Sequence, residues 1–212
     1  MAARRKSFDD WTAEDMRDTF NIKQAPANVH LKEWLSAVHP PSVQQSTFLE
    51  SKRALLERFY RTWNEDELKF RFISQVVELA ELIGKGYNTF TQRPLSAIVE
   101  TVLLQGRPEL MVASGEDTPK KPYFFIHEYK PSRKSEDPLG QLLAAMVAAQ
   151  AHNADEFPLL GCFVIGALWQ FVILEQKTYS VSRTYDANHT DDLLSIYSAL
   201  CQAKIYIEAK VK

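Results

Sequence analysis

Two short apolar runs separated by a polar loop set the tightest constraint on what this chain can fold into. In GRPELMVASGEDTPKKPYFFIHEYK, residues 106–130, Leu110-Met111-Val112-Ala113 and Tyr123-Phe124-Phe125-Ile126 are rich in β-formers, and the loop between them carries Gly115 and Pro119. That is the pattern of two strands joined by a turn. Each run carries acid at one end. Glu109 stands just before the first, and Glu128 closes the second, with Lys130 two residues later. Side chains alternate along a strand, so Glu128 and Lys130 project from one face, while His127 and Tyr129 project from the other. If the strands pair, Glu109 comes close to Glu128 with an ammonium beside them. Two carboxylates in reach of each other repel, and a hard divalent cation with oxygen ligands relieves the repulsion. A lysine next to such a metal can orient or deprotonate a water. The same residues also suit a solvated sheet edge with a surface ion pair, and spacing alone does not choose between the two.

The segments before this stretch read as helices. Thr12, with Asp15 three residues on, is an N-cap for a helix starting near Ala13. VHLKEWLSAV (29–38) is a second short helix closed by His39-Pro40-Pro41, and 42–63 carries Val43, Phe48, Leu55, Phe59 and Trp63 near helical spacing. Residues 1–63 therefore read as an all-helical N-terminal extension. Asn64 then caps a helix whose first turn holds Glu65, Asp66 and Glu67, as the helix dipole favours. Its apolar face is Leu68, Phe72, Val76, Leu79 and Ile83, and Gly84 or Gly86 ends it. PLSAIVETVLLQG, ended by Gly106, reads as one strand and an antiparallel neighbour of the Glu109 strand, with Glu100 on its polar face.

Beyond Lys130 comes a loop of turn formers carrying Arg133 and Lys134. Asp137 then caps a helix with Pro138 at its first position. That helix, LGQLLAAMVAAQAHN, is small and apolar nearly all round, which suits packing against a sheet, and Gln141 sits in its first turn. Residues 158–185 suggest two or three more strands, broken at Gly166 and at Glu175-Gln176-Lys177. A last helix runs from Asp191 to about Ala209, with Leu194, Tyr197, Leu200 and Ile205 as its stripe. The layer rules make this an α/β protein, a mixed sheet flanked by helices, with its core over residues 64–212.

At 212 residues the chain can build one sizeable domain with an extension. A net charge of −2 does not advertise nucleic-acid binding, so any phosphate contact must come from a local patch. No apolar run approaches the roughly 20 residues that span a bilayer. MAARRKSFDDW has no apolar stretch after its basic residues, so it does not read as a secretory signal. Cys162 and Cys201 lie in no metal-ligand spacing and read as buried thiols of a cytoplasmic protein. No glycine-rich phosphate loop is present, and Ala113-Ser114-Gly115 lacks the preceding glycine of a serine-nucleophile elbow.

Pro108-Glu109, a loop, then Glu128-Tyr129-Lys130 resembles the PD-(D/E)XK signature of the restriction-endonuclease-like nucleases. The likeness extends from about Asn64 to Tyr185. It implies a mixed-sheet core in which the second strand carries the first acid and the third carries the ExK. It further implies a metal-dependent phosphodiesterase acting on DNA, with Mg²⁺ or Mn²⁺ held by Glu109, Glu128 and a helix acid, Glu65 or failing that Glu67. Lys130 would position the water, and Gln141 would face the metal-bound phosphate. Lys120, Lys121, Arg133 and Lys134 would meet the DNA backbone. The chain departs from the signature at Glu109, where the family usually has Asp, and the extra methylene moves the carboxylate. No helix-turn-helix, zinc finger or long basic arm accompanies the core, so a nuclease of this kind needs a partner subunit, a homodimer or a structure-specific substrate to choose its target. The other expectation is a weakened nuclease fold used as a binding or assembly module.

Overall fold

A computed structural model describes residues 4–130, 137–154 and 157–211. Its centre is a mixed sheet with the order β2-β10-β9-β8-β7-β6-β3: Lys23–Gln24, Thr178–Val181, Leu168–Glu175, Leu159–Ile165, Lys120–Lys130, Leu110–Ser114 and Tyr87–Thr91. A short strand, β11 (Tyr185–Asp186), also pairs with β9. Strands β6 and β7 are antiparallel, with Leu110 opposite His127, whereas β7 and β8 are parallel. The parallel pair needs a crossover, and helix α6 (Pro138–Asn153) supplies it.

A second sheet has the order β1 (Arg4–Ser7), β5 (Val102–Gly106), β4 (Leu95–Val99). Helix α6 packs against β7 and β8 of the main sheet and also against β4 and β5 of the small one. That double contact explains its composition: every residue from Gly140 to Ala149 is buried. On the opposite face of the main sheet lie α2 (Val29–Ser36), α3 (Val43–Phe59), the helical stretch 65–79 and α7 (Thr190–Val211). Trp34 on α2 donates its indole N–H to the Ala199 carbonyl of α7 at 2.7 Å. Strand alternation divides the core accordingly. Phe125, Val164 and Phe171 join the cluster under these helices, while Ile126, Phe163 and Val172 join the cluster around α6.

The caps form as the sequence leads one to expect. Thr12 accepts from the Asp15 amide at 3.0 Å at the head of α1 (Ala13–Phe20), and Asn64 accepts from the Glu67 amide at 2.9 Å. Asp137 does more than cap α6. One carboxylate oxygen accepts from the Leu139 and Gly140 amides at 3.1 Å, and the other accepts from the Ala13 amide at 2.7 Å. One side chain thus caps α6 and ties down the start of α1. Gly140 permits the approach, because a Cβ there would stand 2.2 Å from the Trp11 carbonyl oxygen.

Four expectations are corrected. The N-terminal stretch is not all helical: β1 pairs in parallel with β5, and β2 in parallel with β10. Phe8, Trp11, Met16 and Phe20 sit in the core around α6. PLSAIVETVLLQG is not one strand but the β4–β5 hairpin, turning at Glu100, whose φ of 56° is left-handed. It does not adjoin β6; β3 takes that place. The helix opened by Asn64 ends at Leu79, leaving Ile83 exposed, and between α4 (Glu65–Leu68) and α5 (Ser74–Leu79) it contains a π turn, Lys69–Ile73. Finally, the buried stripe of α7 is Leu193, Ile196, Leu200, Ala203 and Ile207 with Tyr197, while Ile205 is exposed. Among the described residues, no helix is long and apolar enough to cross a membrane.

Candidate functional site

The paired strands β6 and β7 bring their acids to one end of the sheet. Glu109 immediately precedes β6, and Glu128 is the third residue from the end of β7, one residue beyond the Leu110–His127 pair. Neither is a solvated edge residue: Glu109 is 8% exposed and Glu128 7%. Glu128 alternates with Ile126 toward α6, and Tyr129 alternates with Phe125 and His127 toward the other face. Lys130 Nζ stands 3.8 Å from a Glu128 oxygen. Burial is the main cause that pushes the Glu128 carboxyl up to about 8, and the negative charge of Glu109 adds to it. Lys130 counteracts the shift, while Asp9 and Glu65 reinforce it.

The helix acid arrives from α4. Glu67 belongs to the cap, since its carboxylate accepts from the Asn64 amide at 3.0 Å. Glu65 reaches toward the site and pairs with Lys69, one turn later, at 3.0 Å. The Lys69 ammonium is also 2.5 Å from a Glu109 oxygen and lies over the Tyr129 ring at 4.9 Å. Burial opposes its charge, yet the hydrogen bonds it donates to Glu109 and Glu65, with their negative charge, outweigh that and hold the ammonium above its ordinary value. The Tyr129 hydroxyl is pushed up by burial and by the same carboxylates. Lys69 was not singled out from the sequence. Its signal was the Glu65–Lys69 spacing, which puts the two side chains on one helix face.

Gln141 is the candidate carried by α6. It is 1% exposed, and among the described residues neither its amide oxygen nor its amide nitrogen has a hydrogen-bond partner. Buried polar atoms are normally satisfied, so an orphaned amide asks for a partner. The basic residues fare differently. Lys120 and Lys121 are not on a loop beside the acids; they begin β7, and Lys120 stands eight residue steps along the strand from Glu128, roughly 25 Å. Arg133 and Lys134 lie outside the described residues. Near Glu65, a cavity of about 570 Å³ opens between Tyr60, Trp63 and the β8–β9 turn at Gly166.

The donors brought together are oxygens, two buried carboxylates that repel each other, and the unpartnered Gln141 amide sits on α6, the helix that packs against β7. That chemistry fits a hard divalent cation. Among the described residues no three His, Cys, Asp or Glu side chains form a group that could hold a metal ion. Lys69 stands between the third carboxylate, Glu65, and Glu109. Cys162 is wholly buried and Cys201 partly so, and neither belongs to this cluster. No protein-family model matches the chain, and no curated protein does either.

Proposed function

We propose that this chain is a divalent-metal-dependent phosphodiesterase of the PD-(D/E)XK type acting on DNA, with a restriction-endonuclease-like core. The observation that carries the reading is the buried pair Glu109 and Glu128 at the end of adjacent antiparallel strands, with Lys130 on the Glu128 strand. A Mg²⁺ or Mn²⁺ ion bound there supplies charge neutralisation at the phosphate and lowers the pKa of its water. Glu109 and Glu128 hold the ion, and Glu65 stands beside them through its ion pair with Lys69. Lys130 donates to the attacking water and orients it. Gln141 offers its amide to a phosphate oxygen. With Lys120 and Lys121 remote, contact with the DNA backbone falls to groups near the acids, and Arg61 borders the cavity that Glu65 also lines.

Supercoiled and short linear DNA, incubated with the protein in Mg²⁺ and in Mn²⁺, test the proposal. Cleavage in wild type, reduced ~100-fold or more in Glu128→Gln, is the expected outcome. Cleavage that persists undiminished in the variant rejects the assignment. The competing reading is a binding or assembly module with a weakened site. It is favoured by the ion pair that Lys69 already makes with Glu109, and by Glu in place of Asp at that position. Such a module binds its partner without any dependence on divalent metal.

A further inference from the structure

The two ion pairs of Lys69 define a cation that belongs to the protein. Its side chain is 20% exposed, and its Nζ lies between the Glu65 and Glu109 carboxylates, at 3.0 and 2.5 Å, with the Tyr129 ring 4.9 Å away. An ammonium has three N–H donors. Two meet carboxylates here, and the charge faces an aromatic surface that favours a cation. The arrangement is built by the backbone. Glu65 and Lys69 are one helical turn apart in the favourable order, acid before base, and the π turn begins at Lys69 itself. Such turns recur at functional sites.

Resting on the nuclease reading, we propose that Lys69 is a resident second cation of the site. Glu65 is then its anchor and not a metal ligand, and a single divalent ion binds on the Glu128 side of Glu109. Many phosphodiesterases set two metal ions about the reacting phosphate, and the charge balance here argues for one. Among the groups joined by ion pairs here, Glu65, Glu109 and Glu128 contribute three negative charges, and Lys69 and Lys130 two positive ones. One divalent ion and one phosphodiester bring these paired groups to zero, with Asp9 adding negative charge from outside the pairs. A second divalent ion would have to enter beside the part-buried ammonium, or expel it from the only two carboxylates that it contacts among the described residues. Like charges this close, partly removed from water, repel strongly.

The test counts ions. Wild type, Lys69→Gln, Lys69→Arg, Glu65→Gln and Glu128→Gln are titrated with Mn²⁺, and bound ions are counted by electron paramagnetic resonance alongside calorimetry, with folding checked by circular dichroism. The proposal expects one ion in wild type and in Lys69→Arg, and two in Lys69→Gln. Glu65→Gln retains the single ion, whereas Glu128→Gln loses it. Two ions in wild type overturn the proposal without any variant. So does a Lys69→Gln protein that binds one ion only, whether at unchanged affinity or more tightly, since tighter binding would mean that the ammonium competes for the metal's own position. Loss of the ion in Glu65→Gln as complete as in Glu128→Gln overturns it as well. In these cases the nuclease reading survives. Wild type that binds no Mn²⁺ removes both.

Discussion

His127 and Glu128 are neighbours on one strand, and burial moves their protons in opposite ways. The His127 ring is fully buried among Phe125, Tyr129 and Trp169, and desolvation pushes its pKa down to about 3. Neither ring nitrogen has a hydrogen-bond partner among the described residues. The unfolded chain therefore binds this proton between pH 6.5 and about 3 and the folded chain does not, so His127 costs stability as pH falls through that window. Replacing it with Leu removes two buried polar atoms at similar volume. The expected result is a gain of about 1 kcal/mol at neutral pH and a shallower loss of stability in acid, read by urea unfolding. Glu128 has the reverse sign. Its folded carboxyl keeps a proton up to about pH 8, whereas an unfolded one releases it near 4.5, so its contribution is present in acid and is lost as pH rises from 4.5 through 8. Each tenfold change in proton affinity corresponds to about 1.4 kcal/mol. Glu128→Gln should therefore raise the stability of the metal-free protein at pH 8, more than at pH 5. Equal stability changes at the two pH values would contradict the buried-acid account.

At the scale of elements, α6 is where the molecule concentrates its dependence. Its first turn holds Gln141, its cap Asp137 also fixes the start of α1, and Gly140 makes room for the Trp11–Thr12 backbone. Asp137→Ala removes acceptors from three amides at once and should cost about 2 kcal/mol, the upper end for an N-cap. In Gly140→Ala the new Cβ meets backbone, which cannot rotate away, and about 1–3 kcal/mol is expected from the forced shift. Denaturant midpoints check both, and an unchanged midpoint for Gly140→Ala would show that α1 does not bear on α6. These local features were legible in sequence: Thr12, Asn64 and Asp137 as caps, the strand–loop–strand around Gly115, the apolar α6. The signals are strong because they act within a few residues. The β4–β5 hairpin was not legible, because its turn uses Glu100-Thr101 rather than a glycine, and its two arms read as one apolar run. The faces of the 65–79 helix and of α7 were only partly legible, since a π turn interrupts the first and residues 196–200 of the second are buried in unbroken succession.

For the whole molecule, what escaped the sequence is long-range. β1 and β2 are four and two residues long, and their partners lie well over ninety residues further along the chain. No periodicity can announce such pairings. The acids divide the same way. Glu109 and Glu128 were legible because one hairpin-like pair carries both, while Lys69 gains its meaning from an ion pair with Glu109, forty residues away along the chain. If the acids form one metal site, a divalent ion binds the folded chain alone and must stabilise all of it. At a hundred times its dissociation constant, Mn²⁺ should add about 2.7 kcal/mol. An unchanged thermal midpoint in saturating Mn²⁺ would rule out a site that depends on the fold.

The most direct measurement is calorimetric titration of Mn²⁺ into wild type and into Glu128→Ala, at pH 7 and without DNA. The account predicts saturable binding in wild type with proton release, because the buried carboxyl of Glu128 must lose its proton to the buffer as the ion binds, and no binding in the variant. Heats of dilution alone in wild type, or the same isotherm in both proteins, would contradict the claim that Glu109 and Glu128 are a metal-binding pair.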